Sequence, residues 1–189
     1  GDYQYLNSNR YSKHHLLPFG EFVPFESLLR KLAPIFDLPF SSFNRGDYQQ
    51  DNLIANGINL APAICFEIAF PKQINANLTN DTDFILTLSN DAWFGDSHGP
   101  WQHLEIAQMR ALEFAMPVVR VTNNGVTAVI DAQGNIASSI KQDVADVLTY
   151  KLALSESHSF YKRFGNLTTL VFIVLLCEFL IISRKKKIP

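Results

Sequence analysis

Cys65 closes an apolar run, Ala63-Ile64-Cys65-Phe66-Glu67, with a carboxylate two positions beyond it. The other cysteine of the chain, Cys177, lies in a separate apolar stretch near the C-terminus. A thiol at the end of a buried strand has two readings. It is either a small core side chain or a nucleophile, and the second needs a cation or base to generate thiolate. A second chemistry-bearing stretch runs from Lys13 to Glu21 and holds a cation, His14, His15 and a carboxylate within nine residues. Pro18 and Gly20 make it a loop, while Leu16, Leu17, Phe19 and Phe22 mark it as partly buried. A lysine brought near a strand-end thiol stabilises thiolate and a developing oxyanion alike, and Glu21 is placed to hold that lysine. Glu67, so close to Cys65 in the chain, is not assigned as its base on spacing alone. His14, His15, His98 and His103 show none of the CxxC, HxxxH or HExxH spacings of a metal site. No metal and no cofactor are expected, and His98 and His103 are expected to line or cap the start of a helix.

These residues need elements to position them. INLAPAI over 58–64 reads as a buried strand leading into Cys65, and FILTLS over 84–89 as a second that stops at Asn90-Asp91. Pro100 suits a first helical turn, and Leu104, Ala107, Ala111, Leu112 and Ala115 follow at helical spacing until Pro117. Val118–Val121 predicts a third strand, ended by Asn123-Asn124-Gly125. Residues 126–130 and 136–140 flank a hairpin turn over 131–135, and Val147–Leu154 predicts a last strand. Residues 1–58 read as irregular apart from a short amphipathic helix over Glu26–Leu32. Strands mixed with a helix indicate a layered α/β domain.

The chain has 189 residues and a net charge of −2, which argues against a nucleic-acid partner. Its C-terminal end is distinctive: the 17 residues from Leu167 to Ser183 are apolar but for Glu178 and a few hydroxyls, and Arg184, Lys185, Lys186 and Lys187 follow. This is the lower limit for a membrane span, and the positive-inside bias places the basic end in the cytoplasm. The chain opens on Gly1 and is read as the C-terminal piece of a longer protein.

The stretches KHHLLPFGEFVP, APAICFEIAFP, SNDAWFGDSHGPWQH and TNNGVTAVIDAQG, together with the terminal apolar run, resemble the C-terminal half of the bacterial apolipoprotein N-acyltransferase family. The resemblance covers nearly the whole chain. It implies a nitrilase-like αββα sandwich with a C-terminal transmembrane helix. Residues 1–158 would form a carbon–nitrogen hydrolase domain truncated at its N-terminus, 161–184 an anchor, and 184–189 a basic cytoplasmic tail. It implies Cys65 as nucleophile, Lys13 as oxyanion-stabilising lysine, and Glu21 and Glu67 as further essential carboxylates. Phe66 and Trp101 would contact substrate, and the Phe-rich arm from Phe19 to Phe43 would lie at the bilayer surface. The implied reaction moves a fatty acyl group from a phospholipid, through a Cys65 thioester, to the amine of diacylglyceryl-modified apolipoproteins. The implied location is the bacterial inner membrane, with the catalytic domain on its periplasmic face. The family's general-base glutamate precedes the lysine loop, and residues 1–12 contain no glutamate. This piece is therefore expected not to turn over by itself. A small-substrate amidase or nitrilase, and an inactive fragment, are the alternatives.

Overall fold

Two turn signals and a run of small apolar residues set the central layer. In the computed structural model, which describes residues 9–18, 20–22, 43–154 and 159–185, six strands form one sheet in sequence order. β1 (Leu53–Ala55) and β2 (Ile58–Ile64) form an antiparallel hairpin. Its turn places Asn56 and Gly57 at φ 52° and 79°, the left-handed pair that an Asn-Gly hairpin adopts. β3 (Phe84–Ser89) and β4 (Val118–Thr122) join β2 in parallel, while β5 (Thr127–Ile130) and β6 (Ile136–Ile140) extend the sheet antiparallel.

Parallel neighbours need a crossover. α1 (Pro71–Asn77) supplies it between β2 and β3, and α2 (Gly99–Phe114) between β3 and β4. One sheet face is buried beneath them. Ala61, Ile85, Val118 and Ile130 stand in register across four strands and pack with Leu104, Ala107, Ala111 and Phe114 of α2. The alanines let the helix approach the sheet closely, and each large apolar side chain buried here contributes about 1.5–3 kcal/mol. The opposite face is apolar but partly open, with the register neighbours Leu88 and Val121 both exposed.

The α/β class expected from the sequence is present. Among the described residues it comprises one mixed sheet with its crossover helices, one half of the expected αββα sandwich. The strand expected over Val147–Leu154 is a correction: residues 147–154 have no regular structure. They pair with no described strand, and Val147 is 85% exposed. The helix expected over Glu26–Leu32 lies outside the described residues, as does most of the Phe-rich arm.

α3 (Phe160–Phe164) packs on α2 through Tyr161 against Phe114, and the Ser159 hydroxyl donates to the Glu113 carbonyl. α4 (Leu167–Lys185) follows, and Leu170, Phe172, Phe179 and Ile182 on it are all exposed. No helix among the described residues is long and apolar enough to cross a membrane. The apolar run of α4 extends about 25 Å at 1.5 Å per residue, short of a hydrocarbon core of about 30 Å.

Candidate active site

β2 delivers Cys65 to its carboxyl end, where the chain turns into a short 3-10 helix, Cys65–Ala69. Cys65 itself is left-handed, with φ 53°. For a residue with a side chain this costs about 1–2 kcal/mol, so surrounding contacts must hold it there. The main hold is Glu67, whose side chain is buried. One of its oxygens accepts from the Ile64 amide at 2.8 Å and the Tyr11 hydroxyl at 3.0 Å. The other accepts from the amides of His14 at 2.7 Å and His15 at 3.1 Å, and from Gln73 at 3.3 Å. Burial, and then the Glu67 charge, push the Tyr11 hydroxyl above its ordinary range.

Glu67 therefore ties two segments together, the turn bearing Cys65 and the loop bearing Lys13. Within that loop the Lys13 ammonium pairs with Glu21 at 2.7 Å, and the second Glu21 oxygen accepts from the Leu17 amide at 2.8 Å. Gly46 donates its amide to the Lys13 carbonyl at 2.9 Å. His14 and His15 serve this docking: His14 Nδ1 meets the Gly46 carbonyl, and the His15 ring stacks on Phe70 at 3.8 Å. A Glu67→Gln variant would turn an N–H toward donors it cannot satisfy. Each orphaned donor costs about 1–3 kcal/mol. Amide exchange at His14 and His15 is therefore expected to quicken by on the order of 10- to 100-fold, as hydrogen-exchange mass spectrometry would show. Unchanged exchange would remove Glu67 as the anchor.

Cys65 forms part of the wall of a cavity of about 290 Å³. Leu17, Phe66, Trp93, Phe94 and Ile106 make most of its lining, with Asn90, Gln102 and His103 as polar members. Phe66 is 41% exposed there and meets Phe70 edge-on. Trp101 stands exposed on α2 beside Gln102 and is not part of the wall.

Beneath the cavity lies a buried polar chain that the sequence reading missed. Arg120 and Asp91 are both fully buried and paired, and Asp91 also accepts from the Ser89 hydroxyl at 2.6 Å. Asp91 lies 3.2 Å from Nδ1 of His103, whose Nε2 lies 3.1 Å from the Cys65 carbonyl oxygen. Burial pushes the Asp91 carboxyl up. Hydrogen bonds from His103 and Ser89 and the Arg120 charge outweigh this and hold it below the usual carboxylate range. Burial lowers the Arg120 guanidinium, with Asp91 opposing. Gly125 is required beside this pair, because a Cβ there would sit 2.1 Å from an Asp91 oxygen. His103 was expected to line or cap the start of α2. It is instead a buried member of the helix that also borders the cavity. The signal in the sequence was Arg120, a lone cation in the apolar strand VVRVT.

A thiol placed this way can act as a nucleophile once it is deprotonated. Cys65 borders an apolar cavity, and the loop bearing Lys13 is docked to its turn. Among the described residues no cluster of three metal-ligating side chains occurs.

Residues 2–162 match the carbon–nitrogen hydrolase family model. The chain is 55% identical over 175 residues to the apolipoprotein N-acyltransferase of Vibrio vulnificus, which covers 93% of this chain and 35% of that protein. It is 52% identical over 186 residues to the apolipoprotein N-acyltransferase of Shewanella oneidensis, covering 98% and 36% respectively. The chain thus spans about a third of the length of the curated relatives it matches. Among solved structures, a carbon–nitrogen hydrolase from Helicobacter pylori matches at a TM-score of 0.47 and 12% identity, over 57% of this chain and 46% of that one.

Proposed function

Because the chain belongs to the carbon–nitrogen hydrolase family, we propose that it is the nucleophile-bearing, C-terminal part of an apolipoprotein N-acyltransferase. The observation that carries this reading is Cys65, held in a strained turn at the wall of an apolar cavity. In the proposed reaction the Cys65 thiolate attacks the carbonyl carbon of a phospholipid acyl ester. The carbonyl electron pair moves to oxygen, where the Lys13 ammonium and the Phe66 backbone N–H stabilise it. Collapse expels the lysophospholipid alkoxide, which takes a proton, and leaves a thioester on Cys65. The free amine of a diacylglyceryl-cysteine lipoprotein then attacks the thioester. It loses a proton and displaces the thiolate, giving an amide by a ping-pong route. The base that first takes the Cys65 proton is assigned to a glutamate in the part of the relatives' length that this chain does not span. Glu21 acts on Lys13 and Glu67 on the loop, so both are positioning residues. Phe66 contacts the acyl chain within the cavity, and Trp101 contacts the donor at its rim.

We further infer that α4 is seated in the bacterial inner membrane with the α/β domain on the periplasmic side. Its exposed apolar side chains support this, and so does the basic cluster that follows in the sequence.

The test uses the full gene product in detergent, incubated with an alkyne-tagged phospholipid. Peptide mapping is expected to find a hydroxylamine-labile acyl group on Cys65 that passes to a diacylated lipopeptide. Absence of the adduct, with Cys65 still open to alkylation, would overturn the acyltransferase reading in favour of a small-substrate amidase.

A further inference from the structure

The buried chain from Arg120 through Asp91 and His103 ends on a main-chain atom, the carbonyl oxygen of Cys65. A carbonyl only accepts, so Nε2 of His103 carries the proton of that 3.1 Å contact. With the imidazole proton on Nε2, the opposite ring nitrogen accepts from Arg120 at 3.3 Å and lies 3.2 Å from Asp91, which pairs with the same guanidinium. His103 is 5% exposed and Asp91 fully buried, so neither ring nor carboxylate is free to swing. The peptide joining Cys65 to Phe66 is planar and trans, with its C=O and N–H antiparallel. Fixing the carbonyl therefore fixes the direction of the Phe66 N–H. That N–H belongs to the first turn of a helix and has no partner within it.

We propose that His103 is a positioning residue for acyl transfer. By donating to the Cys65 carbonyl it locks the Cys65–Phe66 peptide plane, so that the Phe66 N–H is held toward the oxyanion formed when Cys65 attacks an acyl carbonyl. Arg120, itself held by Asp91, fixes the imidazole in turn. The second role of His103 is to keep Cys65 left-handed, since rotating that peptide would break the 3.1 Å contact. The inference rests on the acyl-transfer reading only in requiring an oxyanion at Cys65. It does not depend on the acyl donor being a lipid.

Two reactions of the same thiolate separate positioning from simple structural support. With p-nitrophenyl hexanoate, sulfur bonds to the carbonyl carbon through an oxyanion and p-nitrophenolate leaves. With iodoacetamide, sulfur displaces iodide at a saturated carbon and no oxyanion forms. In the full gene product, His103→Leu is expected to slow ester acylation of Cys65 by on the order of 100-fold, while alkylation stays within about threefold. His103→Gln, whose amide reaches about as far as Nε2, is expected to return acylation to within about tenfold of the parent. Should the Leu variant fail to fold, His103→Asn takes its place, since its shorter amide falls short of the Cys65 carbonyl.

Parallel loss of acylation and alkylation would overturn the proposal, as would ester acylation within about threefold of the parent in His103→Leu. A Gln variant as slow as the Leu variant, or a parent that does not react with the nitrophenyl ester, would overturn it as well. A parent that takes the nitrophenyl ester but not a phospholipid acyl group would overturn the lipid-donor reading alone.

Discussion

A Cys65→Gly substitution is expected to abolish acyl capture while leaving the thermal midpoint unchanged or a few degrees higher. The side chain sits on a left-handed backbone, φ 53°, which costs about 1–2 kcal/mol for an L-residue and nothing comparable for glycine. Glycine gives back part of this gain, about 0.5–1 kcal/mol, through the greater freedom of its unfolded chain. Little packing is lost, because Cys65 is only partly buried. For a chain of this size 1 kcal/mol moves the midpoint by about 2–4 °C. Cys65→Ser keeps the strain and the shape but lacks a thiolate. Its acyl capture is expected to fall by on the order of 1,000-fold or more, as for other removed nucleophiles. The pair of variants decides between the two readings of this cysteine. A structural cysteine would give a midpoint lowered by about 5 °C or more in Cys65→Gly, with capture persisting at another residue. A nucleophile held under strain gives the reverse pattern, measured by differential scanning fluorimetry beside peptide mapping of the adduct.

The sequence made some of this legible and concealed the rest, for identifiable reasons. β2, β3, β4 and the β5–β6 hairpin follow apolar runs bounded by turn residues, and α2 follows an apolar stripe, so periodicity found them. α1 escaped because Ile74 is its single large apolar side chain. It buries Gln73 and Asn77 instead, each used for hydrogen bonds. β1 escaped because it is three residues long, although Asn56-Gly57 announced its hairpin. Residues 147–154 show the converse case, an apolar pattern that pairs with no described strand. At the site, Cys65 and the loop bearing Lys13 and Glu21 stood out by type and spacing, and Glu67 through the family resemblance. The bond that joins them did not, because the amides of His14 and His15 have no signature in a sequence. Arg120 announced a buried anion but not which one, since Asp91 lies 29 residues away.

That pair carries the other large expected effect, on stability. Arg120→Met fills much of the same volume and leaves the Asp91 carboxylate buried without its cation. Removing one partner of a buried pair costs about 3–5 kcal/mol, or a fall of roughly 6–20 °C in the midpoint. The sign of the pH dependence tests the cause. In the parent, Asp91 is depressed below its ordinary value of 3.8. Its stabilising contribution is therefore complete above that value and is lost as pH falls through the lower folded-state pKa. In Arg120→Met the guanidinium charge no longer opposes burial, while the hydrogen bonds with His103 and Ser89 remain, so the carboxyl rises from its position in the parent. Protonation relieves the unpaired charge, so the deficit of the variant relative to the parent is expected to shrink as pH falls from neutral into the acid range, through the variant's folded-state pKa. A deficit constant over that range would mean that lost packing, not an unpaired charge, is the cause. Asp91→Asn added to Arg120→Met removes the remaining charge and is expected to recover at least 1 kcal/mol or so of the loss. That double variant also leaves His103 without its anionic neighbour. Recovered stability beside slow ester acylation would separate what this chain does for the fold from what it does for the Cys65 peptide.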